Sequence, residues 1–160
     1  MSREPVKLPF KIGSGRDFPK SALKMEFFKN TVDSTLVGEV SFGKQMEGPP
    51  GHVHGGVSAY VLDEAMGSAA WAKGYPCVAR EIQVKFLEMT PQGKELKIEA
   101  KVTKTEKKSV TVYAKIFDQD KIYSESTGIF HRVNRVLLEG FLQSAGERFD
   151  LDLLKFPEDD

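Results

Sequence analysis

The sequence predicts an α+β fold: a largely antiparallel sheet curled around one long enclosed helix, with a second helix near the C-terminus. Three observations lead there. Residues 57–73 contain no proline, and Val57, Val61, Ala65, Met66, Ala69 and Ala70 recur at three- and four-residue spacing, the period of a helix face. Tyr60, Leu62 and Trp71 fill the flanks, and a helix that is apolar nearly all round is one enclosed by the rest of the fold. Two strand-like runs precede this helix and a series of hairpin strands follows it, an order typical of α+β domains.

Taken in order, residues 1–22 mix proline, glycine and charge and are expected to form an N-terminal arm. Residues 23–29 and 34–42 are strand-like, joined by Asn30-Thr-Val-Asp33 with turn chemistry. The central helix stops at Lys73-Gly74-Tyr75-Pro76, with a glycine suited to the position just past the helix and a proline after it. From Val78 onward Arg80, Ile82, Val84 and Phe86 are expected on one strand face, opposite Ala79, Glu81, Gln83 and Lys85. Leu96, Ile98, Ala100 and Val102 alternate with polar residues, as do Val110, Val112, Ala114 and Ile116, the pattern of half-buried strands. Residues 122–133 supply a further strand, and 134–147 read as a helix followed by an acidic tail. The main domain is thus expected over 23–133, with the C-terminal helix and tail over 134–160. One sheet curled on one helix leaves strand edges uncovered, which argues for a homodimer.

Composition excludes several classes. Lys+Arg and Asp+Glu both number 23, so the formal net charge is zero. The basic residues are scattered, and even Lys104-Thr-Glu-Lys-Lys108 is interrupted by an acid; no nucleic-acid surface is expected. A single Cys77 rules out an internal disulfide and suits a reducing, cytoplasmic setting; it reads as an inert packed thiol. No stretch approaches the length of a membrane span, so no membrane partner is expected. His52 and His54 lack a clear third ligand, which argues against a metal site. No phosphate-cradling loop or dinucleotide fingerprint is present, and no cofactor is expected.

The segment richest in chemical meaning is Gly48-Pro-Pro-Gly-His-Val-His-Gly-Gly56 with the helix behind it. That helix carries Asp63 and Glu64 in apolar surroundings. A carboxylate in such a place costs several kcal/mol unless it is paired, hydrated or neutralised; folding alone gives little reason to accept that, whereas binding or chemistry does. On a regular helix Asp63 projects toward Ala59, Gly67 and Ala70 and Glu64 toward Tyr60 and Trp71, so the two are expected to point apart.

The loop Gly51-His-Val-His-Gly-Gly56, the acid nine residues after His54, and the order of elements resemble the PaaI-like branch of the hotdog-fold acyl-CoA thioesterases, in the hydroxybenzoyl-CoA thioesterase superfamily. The resemblance covers about residues 23–133. It implies a hotdog fold, a homodimer (often paired into a tetramer), and acyl-CoA sites shared between subunits. Glycines at a helix mouth let backbone N–H groups approach a ligand oxygen, where the helix dipole adds positive charge. A thioester carbonyl held there is polarised and its oxyanion favoured. The Gly55 N–H is the expected donor, with Gly56 as an alternative. By analogy Asp63 of the opposite subunit is the base or nucleophile, and His54 either assists or shapes the loop. Gly48, Gly56, Tyr60, Glu64, Ala79 and Arg80 are expected around the substrate, with Glu64 either a second base, a salt-bridge partner of Arg80 or a channel residue. Lys107, Lys108 and Arg132 are candidate contacts for the CoA phosphates.

Two positions depart from the family pattern. Many relatives carry Asn where this chain has Gly48, and others carry Ser or Thr where it has Ala79. A non-catalytic acyl-CoA-binding protein is therefore the alternative to a thioesterase. A hotdog hydratase or dehydratase using His54 and Glu64 is the third reading.

Overall fold

The computed structural model describes residues 2–6 and 18–160. A seven-stranded, wholly antiparallel sheet holds β1 (Arg3–Pro5), β2 (Leu23–Asn30), β3 (Leu36–Phe42), β4 (Cys77–Phe86), β5 (Leu96–Thr105), β6 (Ser109–Asp118) and β7 (Lys121–Arg132), in the spatial order β1-β2-β3-β5-β6-β7-β4. Helix α1 (Gly55–Ala72) packs against the sheet and α2 (Arg135–Ala145) follows β7. Most of the expected N-terminal arm, residues 7–17, lies outside the described residues. Its first part is more than an arm: Arg3–Pro5 pair with Phe28–Asn30 as an edge strand.

Burial follows the periodicities. Along β3 every second residue is buried, and along β6 the same holds from Val110 to Ile116. Val61, Leu62, Ala65, Met66 and Ala70 of α1 are sealed against Leu36, Leu96, Ile98, Val112 and Ile116 of the sheet. Each fully buried aliphatic side chain contributes about 1.5–3 kcal/mol, so this layer is the main source of stability. The helix ends as its residues dictate: Tyr75 N–H donates to Ala70 O at 2.9 Å, and Gly74 turns back with φ +96, a conformation that costs glycine little.

A smaller apolar cluster joins Val133, Leu138, Leu142, Leu154 and Phe156, with Trp71 of α1 packed against it. The acidic tail is therefore structural. Beneath it Arg132 is fully buried, donating to Glu106 O, Lys107 O and Lys155 O at 3.1–3.3 Å and to Asp160 Oδ2 at 2.5 Å, with its guanidinium over the Tyr75 ring. Those commitments leave Arg132 no part in holding CoA phosphates.

One local irregularity matters for the site. Ala79 pairs with Phe130 and Glu81 with Ile129, so Arg80 is an extra residue, a β-bulge. Side chains alternate along a strand, and one inserted residue reverses the parity beyond it. Ala79 therefore shares the inward face with Ile82 and Val84, not the opposite face expected from strict alternation. Among the described residues no helix is long and apolar enough to cross a membrane.

Candidate active site

The loop before α1 is held at both ends. Glu47 and Val53 form a bridge, Gly48 N–H donates to His52 O at 2.9 Å, and His54 N–H donates to Met46 O at 2.8 Å. The Glu47 carboxylate accepts from Gly51 N–H at 2.7 Å and from Gln92 Nε2 at 2.9 Å, tying this loop to the β4–β5 connection. Val53 N–H adds a bond to Thr90 O at 2.9 Å. Both donors hold the Glu47 pKa below its usual value, the Gly51 amide first.

Gly48 has no room for a side chain. A Cβ there would stand 2.8 Å from the His54 Cα, closer than such atoms approach. The asparagine expected at this position in relatives needs a different loop path.

His54 is the N-cap of α1, and its Nδ1 accepts from Gly56 N–H at 2.9 Å. An accepting Nδ1 leaves the ring proton on Nε2. Val57 and Ser58 N–H both donate to His54 O, at 3.0 and 3.2 Å. Three of the four amides that a helix leaves open at its start thus have acceptors. The fourth, Gly55 N–H, has none among the described residues. Gly55 opens on a surface depression of about 330 Å³ shared with Pro49, His52, Phe86 and Met89. His52 is engaged separately, its Nδ1 2.9 Å from Pro50 O.

The two carboxylates lie elsewhere. Asp63 and Glu64 both line a cavity of about 540 Å³ between α1, β4, the end of β7 and α2. Neighbouring residues on a helix diverge by about 100°, and this cavity is wide enough to meet both. Asp63 Oδ1 is buried and makes no hydrogen bond among the described residues; removal from water raises its pKa. Glu64 is pushed up to about 7, first by burial and then by the Asp63 charge. The Cys77 thiol on the same wall is pushed up to about 12 by burial and by Asp63, so it stays protonated and inert, as its position suggests.

Of the other expected site residues, Ala79 lines this cavity because of the bulge, while Arg80 is exposed beside it. No Glu64–Arg80 ion pair forms among the described residues. Tyr60 meets Phe18 edge to face at 5.9 Å and lines neither opening. Gly56 lies beside the Gly55 opening with its amide already taken by His54. Ser68, Val133, Phe141 and Ala145 also wall the cavity and were not singled out from sequence. Ser68, one helical turn from Glu64, was findable by spacing; the contribution of α2 was not.

Gly55 and Asp63 are eight residues apart on α1, about 12 Å along the axis. In a single chain, donor amide and acid face different openings.

With this geometry in place, residues 50–124 match the sequence model of the thioesterase superfamily. Over that segment the chain resembles the thioesterase superfamily, and its fold is the hotdog fold. Among relatives of this hotdog protein, human acyl-coenzyme A thioesterase THEM5 is 29% identical over 90 residues, 55% of this chain and 36% of that protein. The chain spans about a third to a half of the length of the curated relatives it matches. A solved thioesterase superfamily protein superposes with a TM-score of 0.64 at 27% identity, covering 68% of this chain and 53% of the other. The smu.793 protein of Streptococcus mutans, solved bound to acetyl CoA, has a TM-score of 0.63 at 14% identity, covering 69% and 89%; at that identity it shares the fold.

Proposed function

We propose that this protein is a homodimeric acyl-CoA thioesterase whose sites join Gly55 of one protomer to Asp63 of its partner. The observation that carries this reading is complementarity. One opening of α1 offers an amide without an acceptor and the other a carboxylate oxygen without a donor, and a second copy brings the two kinds together. Strand β4 supports it, since among the described residues it has β7 on one side and no strand on the other. Its exposed Val78 and Phe86 and the following Leu87 and Met89 are apolar, and edge-to-edge pairing covers such a margin.

In this reading the thioester carbonyl oxygen accepts from Gly55 N–H at the positive end of α1, and that donor strengthens as negative charge collects on the oxygen. The partner's Asp63 takes a proton from water while the water oxygen bonds to the carbonyl carbon. The C–S bond then breaks, the thiolate of CoA leaves and takes up a proton, and the acid is released. Direct attack by the Asp63 carboxylate, giving an anhydride that water opens, uses the same placement. His54 contributes by fixing the loop.

The acetyl CoA held by the Streptococcus mutans protein and the acyl-coenzyme A thioesterase name of THEM5 support CoA thioesters as the substrate class. A non-catalytic acyl-CoA-binding role draws its support from Ala79, which puts a methyl group on the cavity wall. A hydratase pairing His54 with Glu64 has less support, since His54 is engaged as the N-cap of α1, its Nδ1 accepting from Gly56 N–H. Release of free thiol from a panel of acyl-CoA thioesters tests the reading. Turnover by the wild type that is lost in Asp63→Asn supports it; binding of the same thioesters without turnover favours the binding protein.

A further inference from the structure

The wall of the larger cavity carries charge of one sign. Asp63 and Glu64 contribute two carboxylates, and among the described residues no Lys, Arg or His joins them. The remaining surface is mostly apolar, with Trp71, Phe130, Val133 and Phe141. The catalytic scheme uses Asp63 and leaves Glu64 without a task. We propose that Glu64 acts as a charge filter on the acyl group: the cavity admits neutral apolar acyl chains and rejects chains that end in a carboxylate. This rests on the proposed function, because it takes the cavity as the place of the acyl group. The physical basis is repulsion between like charges in a wall that screens poorly, together with the cost of burying an anion that finds no cation.

The filter has a built-in pH dependence. Among the described residues, the titratable groups facing Glu64 are Asp63 on its own helix and Cys77 on β4; Phe130 of β7, Val133, and Phe141, Ser144 and Ala145 of α2 add none. The thiol stays neutral, so cavity charge changes through the acid pair, with Glu64 losing its proton around neutrality.

Binding of two non-hydrolysable thioethers, S-hexyl-CoA and S-(5-carboxypentyl)-CoA, tests this by calorimetry on wild type and Glu64→Gln. The wild type should prefer the hexyl ligand by roughly tenfold or more, and the preference should widen between about pH 6 and about pH 8. In Glu64→Gln it should shrink several-fold and lose that widening. Because both ligands carry the same nucleotide, titration of the CoA phosphates cancels in the ratio. Equal binding of the two by the wild type, or a ratio unchanged in Glu64→Gln, overturns the filter alone. Failure of both thioethers to bind overturns the acyl-CoA reading as well.

Discussion

A carboxylate oxygen without a donor, set in a largely apolar wall, destabilises a fold wherever it is ionised. Asp63 is such a group, and its neighbour Glu64 makes the consequence measurable. The pKa of Glu64 is raised from 4.5 to about 7 in the folded protein, by burial and then by Asp63. Folded protein therefore holds this proton more tightly than the unfolded chain. The stability associated with it is complete below the unfolded value and is lost as pH rises through the folded one. Glu64→Gln should raise Tm by a few degrees at about pH 8 and leave it nearly unchanged at about pH 4. Equal shifts at both would show that Glu64 does not titrate as its surroundings require. For Asp63→Asn the expected outcome is a fold that is intact by circular dichroism, with thioester hydrolysis lowered roughly 100-fold or more. Near-wild-type turnover would remove Asp63 from the chemistry.

Between residue and fold stands the loop 47–54, whose value is the direction it gives one amide. Glu47 holds it through two acceptor contacts, to Gly51 N–H and Gln92 Nε2. Glu47→Ala removes both, while Glu47→Gln keeps a carbonyl oxygen able to accept. A positioning role predicts that kcat falls about tenfold in Glu47→Ala with KM little changed, and recovers in Glu47→Gln. A loss in KM alone, or no recovery in the glutamine variant, would contradict it. This network was not legible in the sequence, because Glu47 and Gln92 are brought together by the β4–β5 connection, far apart along the chain. The central helix was legible, since a period of 3.6 and a terminal Gly74 are local signals. The alternation of β3 and β6 was equally plain. The bulge at Arg80 was hidden: an inserted residue leaves no composition mark, and it moved Ala79 from the outer face to the cavity wall. Arg132 was misread for a related reason. A cation at a strand end looks exposed until the tail folds back and buries it.

At the scale of the whole molecule, the proposed function needs two copies of the chain. Among the described residues the sheet runs from β1 to β4, and the two openings of α1 hold the donor amide and the acid that the proposed site pairs. The resemblance carried by the loop 51–56 and Asp63 proved right at the level of the superfamily; the assignment of roles rests on the dimer. Sedimentation at micromolar concentration should report a dimer, and a monomer that nevertheless hydrolyses thioesters would contradict the shared site. Complementation is the most direct test. Gly55→Pro removes the donor N–H at the first helical position, where proline fits, and His54 before it is already extended at φ −61, ψ 133, as a following proline requires. Asp63→Asn removes the acid. Each variant alone should be nearly inactive. Co-refolded in equal amounts, half of the dimers are mixed and each mixed dimer regains one intact site, so about a quarter of wild-type activity should return. A mixture that forms mixed dimers yet stays as inactive as its parents would show that donor and acid do not meet across the subunit boundary.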